Sequence, residues 1–189
     1  MKPILSRILI VLCISALVTV ADAQTTTAPS PTWQVYFSPY GEATTAIRQA
    51  LNNAKSTVLV QAYSFTSAPI AEALVKAHKR GVKVQVILDR SQKTYKYSSA
   101  DFLANSGIPT RIDAAHAIAH NKIMVIDNEV VITGSFNFTK AAEEKNVENL
   151  LVIHNRELAA RYIDNWHHHE GHSELYGRTI HREMRDPRR

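Results

Sequence analysis

The sequence contains a single cysteine, Cys13, among its 189 residues. One thiol excludes both a disulfide scaffold and a metal site built on thiolates. Glycine and proline are scarce, with six and seven residues, which excludes collagen-like and low-complexity organisation. Acidic residues are outnumbered 17 to 22 by lysine and arginine, for a net charge of +5, and this favours an anionic partner. With 45% hydrophobic residues, the chain is expected to form one globular domain.

The N-terminal hydrophobic run, Ile8–Val20, has 13 residues, whereas a membrane-spanning helix needs about 20. Basic residues precede the run, and an Ala-x-Ala pattern at residues 21–23 follows it, as at a signal-peptidase site. We predict that residues 1–23 are a signal peptide cleaved before Gln24, with an uncleaved membrane anchor as the alternative. Cleavage would remove Cys13 and place a cysteine-free chain in the periplasm or the medium, with no stable membrane insertion.

Strands and helices are predicted to alternate along the rest of the chain. Residues 24–32 are rich in Thr, Ser and Pro and predict a flexible leader, residues 33–170 the folded domain, and residues 171–189 a basic tail. Hydrophobic periodicity predicts strands at 33–37, 57–63, 82–88, 108–112, 120–127, 130–136 and 147–153, and helices at 42–54, 67–80, 100–105, 140–145 and 155–166. Such alternation predicts an α/β domain.

The sequence His-Asn-Lys-Ile-Met-Val-Ile-Asp at residues 120–127 has the pattern H-x-K-x4-D. Composition alone predicts roughly 0.02 such matches in a chain of this size, so the pattern is a moderately specific signal. Gly134-Ser135-Phe136-Asn137 follows it, and Glu148 lies in the next predicted strand.

Four polar residues of this region are predicted to converge. Residues two apart in a strand share a face. His120 and Lys122 therefore share a face of one strand, and Ser135 and Asn137 share a face of the next. A two-residue turn at 128–129 would place His120 opposite Asn137 and Lys122 opposite Ser135, whereas a three-residue turn would break this match. The alternative is a surface hairpin with scattered polar residues.

The same register pairs Asp127 with Val130 and places Asp127 on the face opposite His120. We therefore expect Asp127 to cap the turn or to anchor the backbone rather than to touch a substrate.

These residue types suit chemistry at phosphorus. Lys122, Ser135 and Asn137 offer donors to anionic oxygens, and a histidine can serve as nucleophile or as general acid and base. The carboxylate of Glu148 could fix the histidine tautomer. The region has no cluster of carboxylates that would suggest a catalytic metal. The residues thus predict metal-independent attack on a phosphorus centre through a phosphohistidine.

His120-x-Lys122-x4-Asp127 with Gly134-Ser135-x-Asn137 resembles the HKD signature of the phospholipase D superfamily. Segments 62–66, 70–74, 80–84 and 87–89 resemble its small bacterial endonucleases. The resemblance implies an α/β/α sandwich with a mixed central sheet and phosphodiester cleavage with neither metal nor other cofactor. It further implies the site residues: His120 as nucleophile or general acid, Lys122, Ser135 and Asn137 as phosphate ligands, and Glu148 as support for the histidine.

The chain has one such motif, while the family's two-step reaction uses two histidines. His116 lacks the matching Lys, Ser and Asn partners and is interpreted as a loop histidine. We therefore predict a homodimer with one His120 from each subunit at the two-fold axis, and a bell-shaped pH–rate profile.

A basic segment at residues 76–96 holds seven lysines and arginines and one acidic residue. Arg90, Lys93, Tyr95 and Lys96 are candidate nucleic-acid contacts, because cations can follow phosphates and tyrosines can stack on bases. For residues 76–83 a solvated helix face is an equal interpretation. We expect a nuclease of low sequence specificity acting on DNA or RNA. The alternatives are a phospholipase D-type hydrolase of phospholipids and a non-catalytic nucleic-acid-binding module.

Histidines at 167–169 and 172, together with Glu170, resemble a metal site but lack the H-E-x-x-H pattern. Because they follow the predicted end of the last helix, we expect a solvated terminus and no dedicated metal. The arginine-rich residues after Arg178 are expected to be a frayed end, with an accessory DNA-binding arm as the alternative.

Overall fold

The computed structural model describes residues 30–177. The predicted signal peptide, most of the predicted leader and residues 178–189 of the predicted tail lie outside them. The strands are β1 (Thr32–Ser38), β2 (Thr57–Ala62), β3 (Lys83–Asp89), β4 (Thr110–Asp113), β5 (Lys122–Ile126), β6 (Val130–Gly134), β7 (Glu148–His154) and β8 (Glu174–Leu175). They form one mixed sheet in the order β1-β7-β6-β5-β2-β3-β4-β8.

The helices cover both faces of this sheet. They are α1 (Ala43–Asn53), α2 (Ala68–Lys79), α3 (Ala100–Asn105), α4 (Lys140–Glu144) and α5 (Arg156–His172), with a short 3-10 helix at Arg90–Lys93. Apolar side chains of α1 and α2 share the larger core with one face, while α5 packs Trp166 on the other face beside Leu59 and Val125. The predicted α/β/α sandwich with a mixed sheet is therefore confirmed.

Strand directions bring several loop-borne residues to one end of the sheet. β2, β3 and β4 are parallel, so their carboxyl ends meet there. β5 is antiparallel to β2 and begins at the same end, where β6 ends and β7 begins. The chain segments that carry the predicted site residues thus border one edge of the molecule. No helix within residues 30–177 is long and apolar enough to cross a bilayer.

The predicted hairpin register is wrong by one residue. Ile126 pairs with Val130, because the turn is centred on Asp127 and Asn128, both at positive φ (54° and 55°), and leaves Glu129 as an extra residue. Lys122 therefore does not face Ser135 across a regular ladder.

The predicted end of the last helix is also wrong. Asn155 does cap α5, since its side chain accepts a hydrogen bond from the Leu158 N–H. However, the helix continues beyond Trp166 to His172. The histidines expected at a solvated terminus are therefore helical, and the His169 side chain is only 14% exposed.

Candidate active site

A pocket at this end of the sheet brings the predicted site residues together. It is lined by His120, Lys122, Gly134, Ser135, Asn137 and Glu148. The convergence does not come from the predicted ladder. It arises because β6 stops at Gly134, so Ser135 and Asn137 lie in a loop that turns toward the start of β5.

Lys122 forms the floor of the pocket. Its side chain is buried, with 6% of the residue exposed, and its ammonium donates a 2.8 Å hydrogen bond to the backbone oxygen of His120. The ammonium also lies 5.1 Å from the ring centre of Tyr63, a cation–π distance. Burial lowers the pKa of Lys122, and the charge of Glu148 partly opposes that effect. The Lys122 ammonium is thus a poorly hydrated cation that is available to bind an anion.

His120 is exposed, and its ring packs against Tyr63 with centres 4.6 Å apart. Tyr63 follows directly after β2, and its backbone N–H donates to the Asn121 oxygen. Tyr63 was not among the site residues predicted from the sequence. Its position at the end of a buried strand becomes informative only once β2 and β5 are known to be neighbours.

Ser135 and Asn137 present polar atoms to the same pocket. The Ser135 hydroxyl accepts hydrogen bonds from the backbone and the side chain of Asn149, at 3.0 and 3.3 Å, so its position is fixed from β7. The Asn137 side-chain oxygen is buried without a protein hydrogen-bond partner. A buried polar atom of this kind costs free energy unless a ligand or water satisfies it.

Gly134 allows the close approach of β6 to β7. Its φ of 149° is rare for residues with side chains, and a Cβ at this position would overlap the backbone oxygen of Asn149. The glycine is therefore needed where the chain leaves β6 and delivers Ser135.

Glu148 lies at the start of β7, where its carboxylate accepts a 3.1 Å hydrogen bond from the Asn146 side chain. Among the described residues it makes no hydrogen bond to His120. Its negative charge instead raises the pKa of Lys122 against the effect of burial.

Asp127 lies outside the pocket, at the far end of β5. Its carboxylate accepts hydrogen bonds from the backbone N–H groups of Lys55, Ser56 and Thr57, at 2.7 to 3.1 Å. Burial would raise its pKa, but these hydrogen bonds outweigh burial and lower the pKa. Asp127 thus ties the hairpin to the segment that enters β2.

The candidate nucleic-acid contacts lie after β3, at the same end of the sheet as the pocket. Arg90, Lys93, Tyr95 and Lys96 are all exposed. The Tyr95 ring lies 6.3 Å from that of Tyr97, and the Lys96 ammonium lies 5.6 Å above the Tyr97 ring. In the more N-terminal basic segment, Arg80 instead donates to the backbone oxygens of Leu51 and Ala54.

The chain is similar to several known proteins. A family model described as "Cardiolipin synthase, PLD-like domain" matches residues 47–169. A protein named phospholipase D from Rickettsia felis is 44% identical over 130 residues, which cover 69% of this chain and 65% of that protein. The match therefore spans just under two thirds of that relative.

Two solved structures share the fold. Nuc from Salmonella typhimurium, described as a phospholipase D family member, is 43% identical with a TM-score of 0.75, covering 78% of this chain and 99% of Nuc. NucT from Helicobacter pylori is 24% identical with a TM-score of 0.73, covering 78% of this chain and 100% of NucT.

Proposed function

Since this chain belongs to the phospholipase D superfamily, we propose that it is a metal-independent phosphodiesterase acting as an endonuclease of low sequence specificity. The observation that carries the proposal is the pocket itself. One exposed imidazole, one buried ammonium and two short polar side chains surround a space bordered by a single carboxylate. This donor set suits the oxygens of a phosphodiester.

The proposed reaction has two steps. A ring nitrogen of His120 attacks phosphorus, the bond to the leaving oxygen breaks, and a protonated histidine donates its proton to that oxygen. Water then attacks the phosphohistidine, the P–N bond breaks, and the second histidine takes the proton from water. Lys122, Ser135 and Asn137 stabilise the charge on the non-bridging oxygens in both steps.

We assign the second histidine to His120 of another copy of the chain, which requires a homodimer. The sheet edge next to the pocket supports this assembly. Trp33 and Phe37 are 66% and 65% exposed. They are four residues apart in β1 and therefore lie on the same face of that strand. Phe37 pairs in register with Asn149, the residue that holds Ser135, so the apolar stripe reaches the pocket. Exposed apolar patches of this kind mark interfaces.

The loop after β3 supports nucleic acid as the substrate class. Arg90, Lys93 and Lys96 project from the end of the sheet that holds the pocket, where they can follow a phosphate backbone. We expect affinity for DNA to fall steeply as salt is raised. Replacing both Lys93 and Lys96 by alanine should reduce the slope of log affinity against log salt by about 2, since each phosphate contact contributes about one unit.

The decisive test is nicking of supercoiled DNA by the purified protein in excess EDTA. We expect activity that persists under chelation and is lost in His120→Ala. His154→Ala serves as a matched control, because His154 lies at the other end of β7. Protein denatured in alkali during turnover, where a P–N bond survives, should carry a DNA fragment linked through phosphorus to residue 120. A requirement for a divalent cation in catalysis, or a fully active His120→Ala protein, would refute the proposal.

Phospholipid hydrolysis is the second candidate, favoured by the name of the Rickettsia felis relative. The same pocket could accept a phosphatidyl diester, so the nicking assay should be run beside phosphatidylcholine vesicles. Turnover of vesicles without DNA cleavage would assign the lipid substrate. Binding of DNA without cleavage would instead indicate a non-catalytic module.

We also propose export, with residues 1–23 removed. The intact mass of the protein from a periplasmic or secreted fraction would test this, because retention of these residues would contradict cleavage.

A further inference from the structure

A second cluster of ionisable side chains lies apart from the pocket. It consists of Asp113 at the end of β4, His116 in the following loop, and His169 and His172 in the last turn of α5. One potential ligand atom from each of the four lies within 4.8 Å of all the others. β4 is separated from β5 by β2 and β3, which puts Asp113 about 14 Å from β5. The cluster is therefore distinct from the pocket that contains His120 and Lys122.

Asp113 is the centre of the cluster. Only 1% of the residue is exposed, and its carboxylate lies 2.8 Å from a ring nitrogen of His169, 3.3 Å from one of His172 and 3.5 Å from one of His116. Ligands bound to tetrahedral Zn²⁺ at about 2.0–2.2 Å lie about 3.3–3.6 Å apart. The distances to His172 and His116 match the edge of such a tetrahedron, whereas the 2.8 Å distance to His169 is that of a hydrogen bond, which a bound ion would replace.

The surrounding backbone holds these residues in place. His169 and His172 share a helix face because they are three residues apart. The Ser173 hydroxyl donates to the His169 oxygen at 2.7 Å, and Arg111 donates to the Ser173 oxygen at 3.0 Å. The pairing of β8 with β4 fixes the same corner from the other side. The cage is thus built from two segments that are distant in sequence, residues 113–116 and 169–172, and that are joined by tertiary contacts.

The chemistry of the centre also suits a cation. Asp113 is a buried carboxylate, and a buried carboxylate needs positive charge near it. Three imidazoles and one carboxylate form a nitrogen-rich set that favours Zn²⁺ over Mg²⁺ or Ca²⁺, which prefer oxygen.

We propose that Asp113, His116, His169 and His172 bind one structural Zn²⁺ ion per chain. The ion would crosslink the end of β4, the loop that leads to His120 and the C-terminal turn of α5. With four protein ligands it has no open position for substrate, as in structural zinc sites. Its role would be to stabilise this corner and to hold the loop that positions His120, outside the reaction itself.

The test measures zinc in the full-length protein after removal of metal with a chelator. Wild-type protein titrated with ZnCl₂ should bind one equivalent, and its melting temperature should rise with zinc concentration. Substitution with Co²⁺ should give the visible absorption of a tetrahedral ion.

His116→Ala is the key variant, because the His116 side chain is 47% exposed and its loss should not impair folding. We expect it to weaken zinc affinity by at least about 100-fold, beyond the 10–100-fold typical of residues that only orient ligands. Asp113→Asn, which preserves shape, should do the same. His167→Ala is the matched control, since it is in the same helix turn but outside the four ligands.

Zinc bound equally by wild type and His116→Ala would overturn the proposal and indicate adventitious binding to the other histidines. Absence of zinc binding in a folded wild type would overturn it too, and would identify the cluster as a buried carboxylate hydrogen-bonded to histidines. Neither result affects the phosphohistidine at residue 120.

Discussion

Burial of Lys122 disfavours the charge that phosphate binding requires. Burial removes the ammonium from water, which disfavours its charge. The His120 carbonyl, the Tyr63 ring and the nearby charge of Glu148 offset part of that lost hydration. A phosphate entering the pocket would supply the missing anion. The residue is thus poised to bind an anion more strongly than an exposed lysine would.

Glu148→Gln should move the loss of DNA affinity at alkaline pH to lower pH. The Glu148 charge raises the pKa of Lys122 against the effect of burial, so removing that charge should let the pKa of Lys122 fall further. Lys122 would then lose its proton earlier as pH rises. DNA affinity is the readout, because kcat/KM also reports the histidines and any support that Glu148 gives to His120. Glu144→Gln, on α4, should leave the pH dependence of affinity unchanged, and an unchanged pH dependence in Glu148→Gln would contradict the coupling.

Gly134→Ala should destabilise the protein and lower its activity. A Cβ would overlap the backbone oxygen of Asn149, and relief of that overlap would separate β6 from β7 and displace Ser135. We expect the free energy of unfolding, measured with urea, to fall by about 1–3 kcal/mol. Gly81→Ala is the control, because it also has positive φ but meets no atom within 4 Å. Equal losses in both variants would show that backbone conformation alone, and not the overlap, sets the cost.

The β5–β6 hairpin shows how one turn sets the geometry of an element. Two consecutive residues at positive φ, Asp127 and Asn128, centre the turn one position earlier than the sequence predicted. Asp and Asn tolerate this conformation better than most residues. Hydrogen bonds from three backbone N–H groups to its carboxylate further hold Asp127 in this conformation. The donors are Lys55, Ser56 and Thr57, which come from a different part of the chain.

Asp127→Asn should lower the free energy of unfolding at neutral pH by about 1.5–3 kcal/mol, the scale of a hydrogen bond to a charged group. Asparagine keeps the shape and tolerates the turn, so the variant isolates the charge. Because folding lowers the pKa of Asp127 from its usual 3.8, its contribution is complete above that value and is lost as pH falls through the folded pKa. The difference between wild type and variant should therefore shrink below about pH 4. Asp164→Asn, exposed on α5, should show no comparable difference. A difference in free energy of unfolding between wild type and Asp127→Asn that persists in acid would contradict the role of the Asp127 hydrogen bonds.

At the scale of the whole molecule, a pocket lined by a single histidine, His120, leaves the proposed reaction one histidine short. A symmetric dimer would supply it, and the stripe of Trp33, Val35 and Phe37 on the edge strand offers a surface for that contact. Two-fold symmetry makes the same patch serve both subunits.

Mixing wild-type and His120→Ala subunits should test the shared site. If one site needs two intact histidines, an equal mixture that has exchanged subunits should keep about one quarter of the wild-type activity, whereas independent sites would keep about half. Phe37→Asp should yield monomers in sedimentation experiments and abolish activity without unfolding, because Phe37 is largely exposed. Retention of half the activity in the mixture, or a fully active monomer, would rule out the shared site.

The sequence by itself determined most of the elements and the identity of the pocket residues. Alternating Val and Ile residues specify strands such as β3, Asn155 specifies the start of α5, and the spacing of His120, Lys122, Ser135 and Asn137 identifies the chemistry. These signals are local, because backbone periodicity and side-chain chemistry can be read over a few residues.

Only the tertiary structure decided the hairpin register, the contact of His120 with Tyr63 and the Asp113–His169 cluster. Each depends on groups more than 50 residues apart: Asp127 with Lys55, His120 with Tyr63, and Asp113 with His169. No local pattern encodes which distant segment satisfies a buried carboxylate. That choice follows from the order of strands in the sheet and the free-energy cost of leaving such a group unpaired.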